Sequence, residues 1–104
     1  MLRLLLSMLL AAPLGAAGEP GGSYPGSDLA AFVRQDCGAC HGLRLTGGLG
    51  PSLEPRTLAE KDTDFLVAVI LHGRRGTAMP AWKSLLSETD AQRIAELLKK
   101  GLPK

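Results

Sequence analysis

Two thiols separated by two residues, followed at once by an imidazole, make up the stretch of this 104-residue chain richest in chemistry: Cys37-Gly38-Ala39-Cys40-His41. On a helical turn, Cys37 and Cys40 fall on one face, and His41 lies beside Cys37 at i+4. That arrangement suits a flat ring with two reactive vinyl edges and a metal at its centre. The sulfurs supply two thioethers, and the imidazole reaches the metal from one side. This spacing is the attachment sequence of c-type haem. Iron has a second axial side, which c-type electron carriers commonly close with a Met thioether. Of the three Met residues, Met1 and Met8 fall in an N-terminal apolar stretch, which leaves Met79. The cofactor-binding candidates are therefore Cys37, Cys40, His41 and Met79, with His41 and Met79 as the metal ligands.

Other chemistries use the same residue types. A Cys-x-x-Cys can be a redox disulfide, but thioredoxin-like sites sit in a βαβ setting that this chain lacks. It can be half of a zinc site, which needs two further ligands, and only His41 and His72 offer themselves. A plain disulfide across a tight loop is the third rival; export and the adjacent His, counted together, favour the haem reading. Met79 taken alone is more often a core filler than a ligand. Here it follows a helix by way of a Gly-rich loop, far enough downstream to reach the opposite ring face. His72 competes with it, yet sits where a helix C-terminus favours a cationic imidazole.

Several elements must position these groups. Ser27 or Asp28 is expected to cap a helix carrying Leu29, Phe32, Val33 and Cys37 on one stripe. Gly42, Gly47, Gly48, Gly50 and Pro51 then exclude a regular helix and suit a loop packed close to a large ring. A ligating His usually donates its other ring N–H to an acceptor, and the Pro51 carbonyl is the candidate. A short helix is expected over 57–61. Asp62 or Thr63 caps a clearer one, apolar nearly all round from Phe65 to Leu71 and stopped by Gly73. β-branched residues in that run leave a strand open on local grounds, but the capping residues favour helix. The loop 73–80 presents Met79, with Pro80 holding it extended. Ser87 and Asp90 form a capping box that opens a last helix with Ala91, Ile94, Ala95 and Leu98 at helical spacing. Lys99 and Lys100 suit its negative end, and Gly101 stops it.

The chain opens Met1-Leu2-Arg3, runs apolar to Leu14 and exits through Gly15-Ala16-Ala17. That reads as a secretory signal peptide over 1–17, which places the protein in the periplasm. The apolar run is short for a membrane span, and Pro13 and Gly15 interrupt it; an uncleaved N-terminal anchor is the alternative. No Cys precedes Cys37, so a lipoprotein cleavage site is excluded. Residues 18–27, rich in Gly, Pro and Ser, read as a flexible leader, followed by a domain over 28–101. Cleavage removes one cation and no anion from a chain of net charge +2, and two haem propionates then make it slightly acidic. Nothing suggests nucleic-acid binding, which wants a strongly basic face. So small a domain has a thin core and gains from a covalent staple. A bound haem would form part of that core, and the chain without it is expected to fold poorly.

With these residues in view, the chain resembles the small class I c-type cytochromes. The resemblance runs from about Asp28 to Leu98 through Cys37-x-x-Cys40-His41, Gly50-Pro51, Gly76-Thr-Ala-Met79-Pro80-Ala-Trp82 and Leu86-Ser87. It implies an all-α fold of three to five short helices around one covalent haem c, with the first and last helices crossing beside it. It also implies thioethers at Cys37 and Cys40, proximal ligation by His41 and distal ligation by Met79. A narrower resemblance, through 35–43 and Gly47-Gly48-Leu49-Gly50-Pro51, is to the short periplasmic cytochrome found with the cytochrome cd-type nitrite reductase of denitrifiers. The expected function is a monomeric electron carrier, not an enzyme, which serves redox partner proteins such as that reductase. The alternatives are an accessory in maturation of the reductase haem, or an open-site haem enzyme or sensor. Arg74 and Arg75 are read either as propionate partners, as a docking patch for an acidic partner, or as solvated loop cations.

Overall fold

The structure, a computed structural model, describes residues 26–103, so the expected signal peptide and nearly all of the leader lie outside the described residues. The described chain is all-helical. Helix α1 (Gly26–Phe32) runs without a break through a π-helical turn (Val33–Cys37) into α2 (Gly38–His41). Then come α3 (Pro55–Leu58), α4 (Thr63–His72) and α5 (Glu88–Lys100).

Helix α1 starts at Gly26, so Ser27 and Asp28 lie inside its first turn rather than capping it. The short helix begins two residues earlier than expected and ends at Leu58, because Pro55 occupies its first turn, where a missing N–H costs nothing. Asp62 flanks α4 in an extended conformation without a side-chain cap, and Gly73 ends the helix at φ 71°. The α5 capping box is complete: Ser87 Oγ accepts from the Asp90 N–H at 3.0 Å, and Asp90 Oδ2 accepts from the Ser87 N–H at 3.1 Å. Lys99 does more than face the helix end, since its Nζ donates to the Lys61 carbonyl at 2.6 Å and ties α5 to the turn before α4.

The core forms where the first and last helices meet. Leu29 and Val33 join Ala91, Ile94, Ala95 and Leu98 in one buried cluster, completed by Leu45, Leu58, Leu66, Ile70 and Leu86. Helices α1, α3 and α4 all pack on α5. Two alanines on α5 let its neighbours approach closely. Helix α4, apolar nearly all round and so expected to be buried on several sides, is covered less than that. Leu66 and Ile70 are buried, Val67, Val69 and Leu71 stay half-buried, and Ala68 is exposed. The protein's own atoms thus cover one side of α4 and leave apolar surface on the other. No helix among the described residues is long and apolar enough to cross a membrane.

Candidate haem site

The two cysteines and His41 sit on the last turns of one continuous helix. Gly38 N–H donates to the Val33 carbonyl, an i→i+5 bond that widens the turn just before the motif. Single π turns of this kind recur at functional sites in α-helices. Val33 points fully into the core, while Cys37 and Cys40 are half-buried free thiols. Burial pushes the Cys37 thiol up to about 11, and the negative charge of Asp36 adds in the same direction.

His41 is buried, and its Nδ1 lies 2.7 Å from the Pro51 carbonyl oxygen. A carbonyl only accepts, so Nδ1 carries the proton and Nε2 keeps its lone pair for a metal. The loop that supplies this acceptor is fastened to the motif itself. Gly47 N–H donates to the His41 carbonyl and Gly50 N–H to the Cys40 carbonyl, both at 2.8 Å. Gly50 lies against the face of the ring: a Cβ there would stand 2.7 Å from His41 Cε1 and 2.8 Å from Nδ1. Leu45, buried within the same loop, takes φ 61°, and its carbonyl accepts from the Leu53 N–H at 2.8 Å. A leucine carries no local signal for that backbone region, so this anchor was not legible in the sequence.

Met79 comes from a later segment, in a loop folded back on the end of α4. Arg74 N–H donates to the Met79 carbonyl at 3.3 Å. Thr77 Oγ1 donates to the Arg74 carbonyl at 2.7 Å and accepts from the Met79 N–H at 3.3 Å. Gly73 permits the closure, because a Cβ there would stand 2.6 Å from the Met79 oxygen. Beyond Met79 the chain lies along α4, with Trp82 N–H bonded to the Ile70 carbonyl at 3.0 Å. The Trp82 ring meets Phe32 edge-on, with centroids 5.4 Å apart. This contact joins the segment carrying Met79 to the helix carrying the cysteines and His41. His72 is exposed at the C-terminal end of α4.

These residues fit a haem. Among the described residues, no three His, Cys, Asp or Glu side chains converge to hold a bare ion, which disfavours the zinc reading. Two thiols on one helical turn, an imidazole with a free Nε2 and half-covered apolar side chains on α4 and at Phe32, Leu53 and Trp82 suit a broad apolar ring instead. Iron bound by nitrogen and sulfur within such a frame is a redox centre rather than a hydrolytic one.

Comparison with known proteins agrees. Residues 25–98 match the family described as Cytochrome C oxidase, cbb3-type, subunit III. The chain is 47% identical over 103 residues to cytochrome c55X of Stutzerimonas stutzeri, covering 99% of this chain and 90% of that protein. The solved structure of the c-type cytochrome NirC is 50% identical with a TM-score of 0.71, covering 73% of this chain and 89% of that one. A larger solved protein, Dihydro-heme d1 dehydrogenase NirN in complex with DHE, matches at 34% identity and a TM-score of 0.65 over 83% of this chain, which spans only 17% of its length. From the fold, the donor set and these matches together, the chain belongs to the c-type cytochromes that carry one covalent haem c, in the group of small proteins called cytochrome c55X.

Proposed function

We propose that this protein is a periplasmic one-electron carrier in which Cys37 and Cys40 would hold the haem, while His41 and Met79 would ligate its iron. The iron supplies the ferric/ferrous couple. Everything else is the work of the chain. The thioethers keep the group in place as its charge changes. The Pro51 carbonyl holds the His41 proton on Nδ1 and so turns Nε2 toward the metal. The Thr77 and Arg74 contacts hold Met79 ready as the second ligand. A thioether ligand and a half-buried apolar surround both favour the ferrous state. With His41 and Met79 both ligating, the iron would have no place for a substrate, which supports a carrier over an enzyme.

The observation that carries this reading is the pair of independently braced segments: a buried imidazole tied to Pro51, and a methionine loop tied at both its N–H and its carbonyl. Two tests bear on it. Denaturing mass analysis with a pyridine haemochrome spectrum shows one haem still bonded to the chain. The ferric spectrum shows the weak red-end band of sulfur–iron ligation, which Met79→Ala abolishes. High-spin ferric iron in the wild type would instead support an open-site enzyme or sensor.

The electron's destination is a nitrite reductase of the cytochrome cd type. A second reading has its own support, in the match to a protein described as a dihydro-haem d1 dehydrogenase. A dehydrogenation releases electrons, and a cytochrome is a suitable acceptor for them, so the chain would then serve maturation of the reductase haem. Stopped-flow mixing separates the two. Rapid oxidation of the ferrous protein by purified reductase supports the donor role. Reduction of the ferric protein only by a dehydrogenase turning over its dihydro-haem supports the accessory role.

A further inference from the structure

We propose that the surface around Met79 is the docking face for an acidic redox partner protein, with Arg74, Arg75 and Lys83 as its rim. This inference rests on the carrier reading above.

The sequence sets the charge. From Phe65 to Ser87 the chain contains Arg74, Arg75 and Lys83 and no acidic residue at all. The fold gathers these three cations. Arg74 is bonded through its backbone to Met79, and Lys83 N–H donates to the Leu71 carbonyl at 3.2 Å, which brings Lys83 back beside the end of α4. All three are exposed, and no acidic side chain among the described residues pairs with them. The exposed acidic residues Glu60, Asp62 and Asp64 gather at the opposite end of α4, about 15 Å away along the helix. Even with Lys61 among those carboxylates, the stretch from Glu60 to Lys83 is therefore polarised along α4, negative at its start and positive where Met79 lies.

Exposed apolar residues accompany these cations along the chain. Pro80 and Ala81 are exposed, and Leu85 keeps 59% of its surface open to solvent. An apolar centre with a charged rim is the anatomy of a transient protein interface. The cations steer the encounter, and the small apolar centre lets the partner leave after transfer. Such a partner has carboxylates around an apolar patch. The α4 dipole alone would account for Arg74 and Arg75 near its C-terminus. It does not account for Lys83 or for an exposed leucine beside them.

The test uses the haem-loaded protein in its ferrous state. Oxidation is followed by stopped flow with hexacyanoferrate(III), an anion, and with tris(phenanthroline)cobalt(III), a cation. The variants are the triple reversal Arg74→Glu/Arg75→Glu/Lys83→Glu, the milder Arg74→Gln/Arg75→Gln, and a control, Arg56→Glu/Lys100→Glu, placed elsewhere on the surface. At low ionic strength the triple reversal slows the anionic oxidant by about tenfold or more and speeds the cationic one, the neutral pair shows the same pattern to a smaller degree, and high salt removes the difference. A hexaglutamate peptide slows hexacyanoferrate oxidation of the wild type but not of the triple variant. The reduction potential stays where it was. A wild type inert to both oxidants overturns the carrier reading and this face with it. A wild type oxidised readily, with the control variant changing its rates as much as the 74/75/83 variants do, overturns the docking face alone. So does a shift in potential on neutralising the arginines, which would make them propionate partners.

Discussion

Gly50 is where a single methyl group tests the geometry of the proximal side. The backbone there does not lie in the left-handed region, so alanine is conformationally admissible and would on that ground alone stabilise the chain by about 0.4–1 kcal/mol. Space is the objection. The added Cβ would stand 2.7 Å from His41 Cε1, 2.8 Å from Nδ1 and 3.2 Å from Nε2. Comfortable contact begins near ~3.5 Å, so ring or loop must give way by about 0.8 Å. The loop is poorly placed to do so, because Gly50 N–H is bonded to the Cys40 carbonyl at 2.8 Å and its own carbonyl accepts from Gly48 N–H at 2.9 Å. Overpacking of this kind costs about 1–3 kcal/mol. We expect Gly50→Ala to destabilise the haem-loaded protein by that amount in denaturant unfolding.

The second readout is the reduction potential. If the imidazole is the part that moves, the 2.7 Å bond from Nδ1–H to the Pro51 carbonyl lengthens. That bond makes Nε2 a stronger donor and favours the ferric state. Weakening it by about 0.5–1 kcal/mol raises a one-electron potential by roughly 20–45 mV. Gly76→Ala is the control. Nothing lies within 4 Å of its added Cβ, but its φ of 77° strains any side chain. It should lose about 1 kcal/mol of stability with no change of potential. A Gly50→Ala protein as stable as the wild type, with the wild-type potential, refutes the claim that the loop clamps the ring.

Two further outcomes follow from named contacts. Thr77→Val deletes the hydroxyl that braces Met79 from both sides and should cost about 1 kcal/mol; the ferric iron then binds added imidazole faster, with the sulfur–iron band still present at rest. Ser87→Ala removes the acceptor for the Asp90 N–H and should cost ~1 kcal/mol in unfolding while leaving the potential untouched.

Which features were legible in the sequence depends on whether their cause is local. The capping box at Ser87 and Asp90 is a spacing of three residues and needs nothing from elsewhere, and it is present as read. The bond from His41 to Pro51 was legible because a ligating imidazole needs an acceptor and the Gly-Pro pair offers a nearby carbonyl at a close approach. The start of α3 was misplaced although Pro55 carries a local sign for a first helical turn. By contrast, the π turn at Val33–Cys37 has no signature in residue type, since α and π turns draw on the same side chains. The left-handed Leu45 is imposed by a bond from Leu53, eight residues on. The gathering of Lys83 with Arg74 and Arg75 likewise depends on the chain doubling back along α4.

Helix α4 shows why cofactor and fold are best treated as one problem. Its apolar run, Phe65 to Leu71, is more than the protein's own core uses: Leu66 and Ile70 satisfy α5, while Val67, Val69 and Leu71 stay half-covered and Phe65 is 45% exposed. In a domain this small, half-covered apolar surface on a central helix is stability forgone unless something else lies against it. A porphyrin bonded at Cys37 and Cys40 is large enough to cover such surface, and its burial is favourable in proportion to the apolar area removed from water. Contacts of that kind would stabilise the helix and, by keeping water from the iron, would also favour the ferrous state. Sequence that looks excessive for folding is, on this argument, the part that sets the chemistry, and polar substitution of Val67 should lower both stability and potential together, whereas substitution of Ile94 in the dry core should lower stability alone.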